Sequence, residues 1–165
     1  MQGGSCVWAA AATVVASGVI VSRRLIQGAL VLVAILAAAQ LIRPARTNPP
    51  TDPSRSIQAH LDATSGLGPV LQRSCDTCHS NETVWPPYSG VAPLSWVVVR
   101  AVAEGRRAVN FSDWGGYPPD VQRKLLSASC SDARNGRMPG SAYTLLYPEA
   151  RLSVKDIDTI CAAAQ

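Results

Sequence analysis

The chain has 165 residues, 47% of them hydrophobic and 5% aromatic, with 15 basic and 11 acidic side chains and a formal net charge of +4. That length holds one compact domain of about 100 to 150 residues plus an appendage. Arg23, Arg24, Arg43 and Arg46 flank apolar sequence near the N-terminus, which leaves 11 basic residues to balance the 11 acidic ones further on; the folded part carries no basic patch, so the charge suits a membrane boundary and excludes a nucleic-acid binder.

Two apolar runs open the chain, Cys6–Val21 and Leu25–Ile42, separated by Ser22, Arg23 and Arg24. The second is roughly 27 Å long as a helix and just reaches across a hydrocarbon core of about 30 Å. Residues 25–42 are therefore expected to form a transmembrane anchor or uncleaved signal. Residues 1–24 form a poorly defined extension, because three residues make a very tight turn between two spanning helices. A start of translation near Val19 or Val21 would leave Ser22-Arg23-Arg24 as a short basic lead. In either case a cytoplasmic start places residue 43 onward outside. A cleaved signal peptide competes, with Ala37-Ala38-Ala39 before Gln40 as the small-residue site.

Residues 43–56 contain Pro44, Pro49, Pro50 and Pro53, which favour extended backbone and predict a semi-rigid spacer that lifts the following domain, 57–165, clear of the lipid. Beyond it, Gly and Pro punctuate helical patterns and no strand alternation occurs, so the fold class is all-α. A helix is expected from Pro69 to Ser74, leading into Cys75. Another spans Ser95 to Val109, with Val98, Val102, Gly105 and Val109 on one stripe and Arg100, Glu104 and Arg107 on another. Asp120–Ser129 is a weaker helix. Ser153–Ala164 is a stronger one, with Ser153 as N-cap, Asp156 at the third position and Leu152 and Ile157 as a staple.

Cys75-Asp76-Thr77-Cys78-His79 is the attachment pattern for haem c. Two thiols at this spacing add across the two vinyl groups of one porphyrin, and the adjacent imidazole serves as proximal iron ligand. Composition alone would place the pattern in such a chain by chance about twice in a thousand. Two other readings compete for it. Structural zinc needs four ligands, and Cys130, Cys161 and His60 show no paired ligand spacing. A thioredoxin-like pair belongs at a βα junction, which a helical domain lacks. Cys130 and Cys161 would meet oxidising conditions in an exported domain and can either bond or stand as separate buried thiols.

Met138 is the only methionine besides Met1. It lies in Asn135-Gly136-Arg137-Met138-Pro139-Gly140, a loop that can bring a thioether to iron, and is the expected second axial ligand. His60 is the rival for that position, against a plain exposed residue at the edge of the linker. Trp85 and Tyr88, in the rigid Trp85-Pro86-Pro87-Tyr88 segment, are expected either to line the haem edge or simply to pack into a small core. Asn81-Glu82-Thr83 fits a glycosylation sequon and is read as a chance match.

The chain resembles the small haem-binding domain family of membrane-anchored c-type cytochromes. The resemblance runs from Arg43-Pro44 and Asn48-Pro49-Pro50 through Cys75-Asp76-Thr77-Cys78-His79-Ser80-Asn81-Glu82-Thr83, Trp85-Pro86, Tyr88-Ser89 and Ala92-Pro93. It continues over Ser95-Trp96, Gly105-Arg106, Asn110-Phe111-Ser112-Asp113-Trp114, Met138-Pro139 and Pro148-Glu149-Ala150-Arg151-Leu152-Ser153. It departs from the family pattern at Pro87, where an aromatic is usual, at Tyr147, where histidine is common, and in a terminal helix without tryptophan. The resemblance implies one covalent haem c on Cys75, Cys78 and His79, with Met138 at the Met-Pro position.

Together these readings give a cytochrome c-like domain behind an N-terminal transmembrane helix. It would sit on the periplasmic or other extracytoplasmic side of the cytoplasmic membrane as a single-pass protein that passes single electrons between redox partner proteins. No nucleophile–base pair or phosphate loop points to a separate enzyme activity. The alternatives are a haem peroxidase or gas sensor with an open or labile sixth ligand, and a structural haem or metal module of a larger complex.

Overall fold

The computed structural model describes the backbone of residues 7–165 and the side chains of residues 22–165. Cys6 lies outside the described residues, and a start near Val19 or Val21 falls where the backbone alone is described. The described residues are helical without a strand, as an all-α chain should be.

Helix α1, Val7–Ala39, runs unbroken through Ser22-Arg23-Arg24, the residues that separate the two apolar runs. Arginine is a good helix former, so two of them interrupt the hydropathy without interrupting the backbone. Within α1, Ser22–Ala39 is long and apolar enough to cross a membrane, and none of it is buried.

The segment expected to stand off as a spacer instead lies along the domain. Gln40 caps the junction: its amide nitrogen donates to Ala92 O at 3.1 Å and its oxygen accepts from Ala92 N at 3.0 Å. Trp96 Nε1 donates to Ile42 O at 2.7 Å. Further on, Asn48 Nδ2 donates to Thr83 O and Asn81 Nδ2 to Pro50 O. The prolines do hold this stretch extended, but an extended strap exposes all its carbonyls, and side chains of the domain collect them.

Six helices follow: α2 Leu67–Ser74, α3 Asp76–His79, α4 Leu94–Ala108, α5 Pro119–Arg134, α6 Ser141–Leu146 and α7 Val154–Ala162. Short 3-10 turns at Ile57–His60 and Phe111–Gly116 pack on each other. Ile57, Leu67, Leu71, Phe111, Trp114 and Ile160 are buried at the centre, where α2, α5 and α7 meet the aromatic turn. The apolar stripe of α4 is realised, with Val102 and Gly105 buried. Helix α5 extends past the expected Ser129 to Arg134 and carries Cys130 into a disulfide with Cys161 of α7, Cα–Cα 4.8 Å. Of the two readings left open by the sequence, the bond is the one formed; closing a loop of 31 residues stabilises by roughly 3 to 4 kcal/mol in the chain-entropy description. The Ser153–Asp156 capping box forms as read, and Asp156 also pairs with Arg73 of α2 at 2.9 Å.

Candidate functional site

Helix α2 ends at Cys75, whose carbonyl accepts from Cys78 N at 3.1 Å and His79 N at 3.0 Å. The single turn of α3 that results places positions 75, 78 and 79 on one side, as the i, i+3, i+4 spacing requires. Cys75 and Cys78 are free thiols, in contrast to the bonded Cys130 and Cys161. Burial pushes the Cys75 thiol up to about 12, helped by the charge of Asp76, and burial also raises Cys78. A dithiol redox catalyst works through a depressed thiolate, so these are poor residues for thiol exchange. Zinc is equally ill served, because the disulfide removes Cys130 and Cys161 as thiolate donors and leaves the Cys75–His79 turn without a fourth ligand of that kind.

His79 Nδ1 lies 3.3 Å from Val109 O. A carbonyl can only accept, so Nδ1 carries the proton and Nε2 keeps its lone pair for a metal. Burial lowers the His79 pKa against the backbone contacts and the charge of Asp132 that raise it, which keeps the ring neutral. Phe111 stands beside the imidazole with ring centroids 6.0 Å apart.

What brings α4 onto this turn is Gly105. A Cβ there would sit 2.5 Å from Cys78 O, so only glycine permits the approach. The next residue, Arg106, fans out over four acceptors: Ser80 O at 2.6 Å, Thr47 O and Thr83 Oγ1 at 2.8 Å, and Asn48 Oδ1 at 2.9 Å. It binds the strap, the residue after His79 and α4 into one unit. Thr83 Oγ1 in turn donates to Thr77 O at 2.7 Å. Asn81 is buried, accepting from Asn110 Nδ2 at 2.9 Å while its own amide donates to Pro50 O; the apparent sequon asparagine is a structural residue.

Asp76, between the two cysteines, has one buried carboxylate oxygen with no partner and one bonded to Gln58 at 3.3 Å. Burial raises its pKa to about 6, with Glu82 adding to the rise.

The other expected residues fall on different sides. Trp85 donates from Nε1 to Asn48 Oδ1 at 3.1 Å and so belongs to the strap. Tyr88 shares a hydrogen bond with Tyr147 OH at 3.1 Å, and Tyr147 stacks on Tyr143 with centroids 4.9 Å apart. Tyr143 OH reaches Thr77 Oγ1 at 3.3 Å, which sets α6 over the Cys75–His79 turn. Met138 hangs from the end of α5, its N–H and that of Arg137 donating to Asp132 O, and its side chain is 49% exposed. His60 packs against Gly115, and no hydrogen bond or ring contact joins it to His79.

Three contributors escape a motif search: Gly105, Arg106 and Tyr143. Gly105 had a signal, since a glycine on the buried stripe of a helix marks a close approach. Arg106 is marked only as part of the Gly105-Arg106 pair in the family resemblance, with no role attached, and Tyr143 has no mark in local sequence.

A haem fits these residues. The turn offers two free thiols and a neutral imidazole with an unprotonated Nε2, while Met138, Leu145 and Leu146 on the α6 side leave apolar surface exposed. Residues 34–165 match the model of a family described as the haem-binding domain. No curated protein and no solved structure matches the chain.

Proposed function

The chain belongs to the haem-binding domain family, and from that premise we propose that it binds one haem c covalently through Cys75 and Cys78, with His79 as proximal ligand, and passes single electrons. The observation that carries this is the α3 turn, in which two unpaired thiols and an imidazole whose Nδ1 proton is directed at Val109 O stand on one side. When bound, haem c supplies a one-electron iron couple. The chain's own share is to fix the His79 tautomer through Val109, to hold the thiols protonated until they are consumed, and to bury the proximal side under Gly105 and Phe111.

Met138 is the second axial ligand in this reading, as the only thioether besides Met1, carried on a loop whose N–H groups bond to Asp132 O at the end of α5. The half-exposure of Met138 favours one rival: a sixth position open to peroxide, CO or NO, as in a haem peroxidase or gas sensor. Anchoring by α1 in the cytoplasmic membrane, with the domain on the periplasmic or extracytoplasmic side and redox proteins as partners, completes the proposal. It is supported by the apolar Ser22–Ala39 stretch and by a disulfide that suits an oxidising compartment.

Expressed with a c-type maturation system, the full chain should keep its haem through acid-acetone extraction, and Cys75→Ala/Cys78→Ala should lose it. Haem that extracts freely from the wild type contradicts covalent attachment.

A further inference from the structure

A second site lies at the junction between α1 and the domain. A cavity of about 350 Å³ is lined by Arg43, Pro44, Ala45, Arg46, Ser89, Gly90 and Ser95, a volume within the range of small-molecule sites, roughly 300 to 1,000 Å³. Its two cations have no carboxylate: neither Arg43 nor Arg46 takes part in an ion pair among the described residues. Arg43 Nε donates to Gln40 O at 3.0 Å, which keeps it at the end of the apolar helix. Arg46 lies along Gly90 with only a long 3.5 Å contact to Ser89 Oγ.

The wall of the cavity is unsatisfied. Ser95, 2% exposed, has a hydroxyl with no hydrogen-bond partner, an unfavourable state for a buried polar group. It stands in the first turn of the 15-residue helix α4, where its own N–H already donates to Val91 O and that of Trp96 to Pro93 O, so the hydroxyl is the polar group left open there. Two guanidinium groups outside any ion pair and an orphaned buried hydroxyl on one cavity together specify a phosphate-class anion.

The surroundings say where that phosphate comes from. Leu41, Ile42, Val91, Leu94 and Val97 are exposed around the junction, and Trp96, partly exposed, has its indole nitrogen fixed on Ile42 O. This apolar rim continues the exposed face of α1, and a tryptophan at such a boundary suits the headgroup level of a bilayer. With the domain outside, Arg43 and Arg46 also stand where the usual bias of basic residues toward the cytoplasm gives no reason for them. We propose that this cavity binds the phosphate of an anionic phospholipid in the outer leaflet, seating the domain directly on the membrane surface. The inference rests on the anchoring reading and is independent of the haem.

The test uses the full-length, haem-loaded protein in detergent, with native mass spectrometry counting retained phosphatidylglycerol against phosphatidylcholine, in the presence and absence of excess inorganic phosphate. Wild type should retain phosphatidylglycerol selectively. Arg43→Gln/Arg46→Gln should weaken that affinity about tenfold or more, and Ser95→Ala a few-fold, with haem content unchanged and both variants still resisting carbonate extraction from membranes. Equal retention by wild type and the double variant overturns the site. Displacement of the lipid by inorganic phosphate overturns a lipid source in favour of a free anion. Wild type that leaves the membrane in carbonate overturns the anchoring reading, and this inference with it, whereas wild type that stays embedded but shows no lipid selectivity overturns this inference alone.

Discussion

The two sides of the Cys75–His79 turn are built to different standards. On the His79 side, Arg106 satisfies four acceptors, Asn81 and Asn110 are joined, and Gly105 lets two backbones touch. On the Met138 side, α6 is six residues long with no buried residue, Leu145 and Leu146 face solvent, and a Cβ at Gly140 would meet nothing within 4 Å. One side is closed by the protein's own contacts; the other leaves apolar side chains exposed. A cofactor held by two covalent bonds and one imidazole needs rigid placement of those three groups, while the opposite face can close over it afterwards.

The largest effect that would break this contrast is at the helix contact. Gly105→Ala drives a Cβ to 2.5 Å from Cys78 O, where the obstacle is backbone and cannot rotate away; a cost of about 2 to 3 kcal/mol is expected in denaturant unfolding. Gly140→Ala, which meets nothing within 4 Å, should stay within about 0.5 kcal/mol. Equal costs at the two glycines would erase the difference between the sides.

Next comes Asp76. Its folded pKa, about 6, lies above the ordinary 3.8, so folding takes up a proton between those pH values and the charged form weakens the fold above about 6. Asp76→Asn should stabilise by about 1 to 2 kcal/mol at pH 8, after allowance for solvent screening of a partly exposed group. The gain should shrink as pH falls through 6 and vanish near pH 4. A gain independent of pH would mean that the carboxylate is not the source.

The smallest effect on stability, and the most informative about the open side, is Met138→Ala. A half-exposed side chain costs less than about 1 kcal/mol to truncate. Yet the haem-loaded variant should lose the weak long-wavelength band of thioether-ligated ferric haem and bind CO readily when reduced, with its haem still attached. Wild type that is already high-spin and CO-reactive would move the peroxidase or sensor reading ahead.

What could be read from the sequence follows the range of the forces involved. The Ser153–Asp156 capping box and the α4 stripe act through local spacing and form as read, and local spacing also brings positions 75, 78 and 79 to one side of the α3 turn. The prolines of the strap declare an extended backbone but not what the backbone lies against; the bonds from Gln40 to Ala92 and from Arg106 to Asn48 span 52 and 58 residues. Helix α6 escaped notice because Ser-Ala-Tyr-Thr-Leu-Leu has no side-chain cap and too few turns to show a period. The Tyr88–Tyr147 and Tyr143–Thr77 contacts are likewise tertiary, without a local mark.

The most direct test of covalent attachment at this turn is a tryptic digest of the haem-loaded protein. No lysine or arginine lies between Arg73 and Arg100, so residues 74–100 leave as one peptide containing both Cys75 and Cys78. The account predicts that this peptide carries the mass of one haem and that neither cysteine takes up an alkylating reagent. The same peptide recovered at its unmodified mass, with both thiols alkylated, would contradict it.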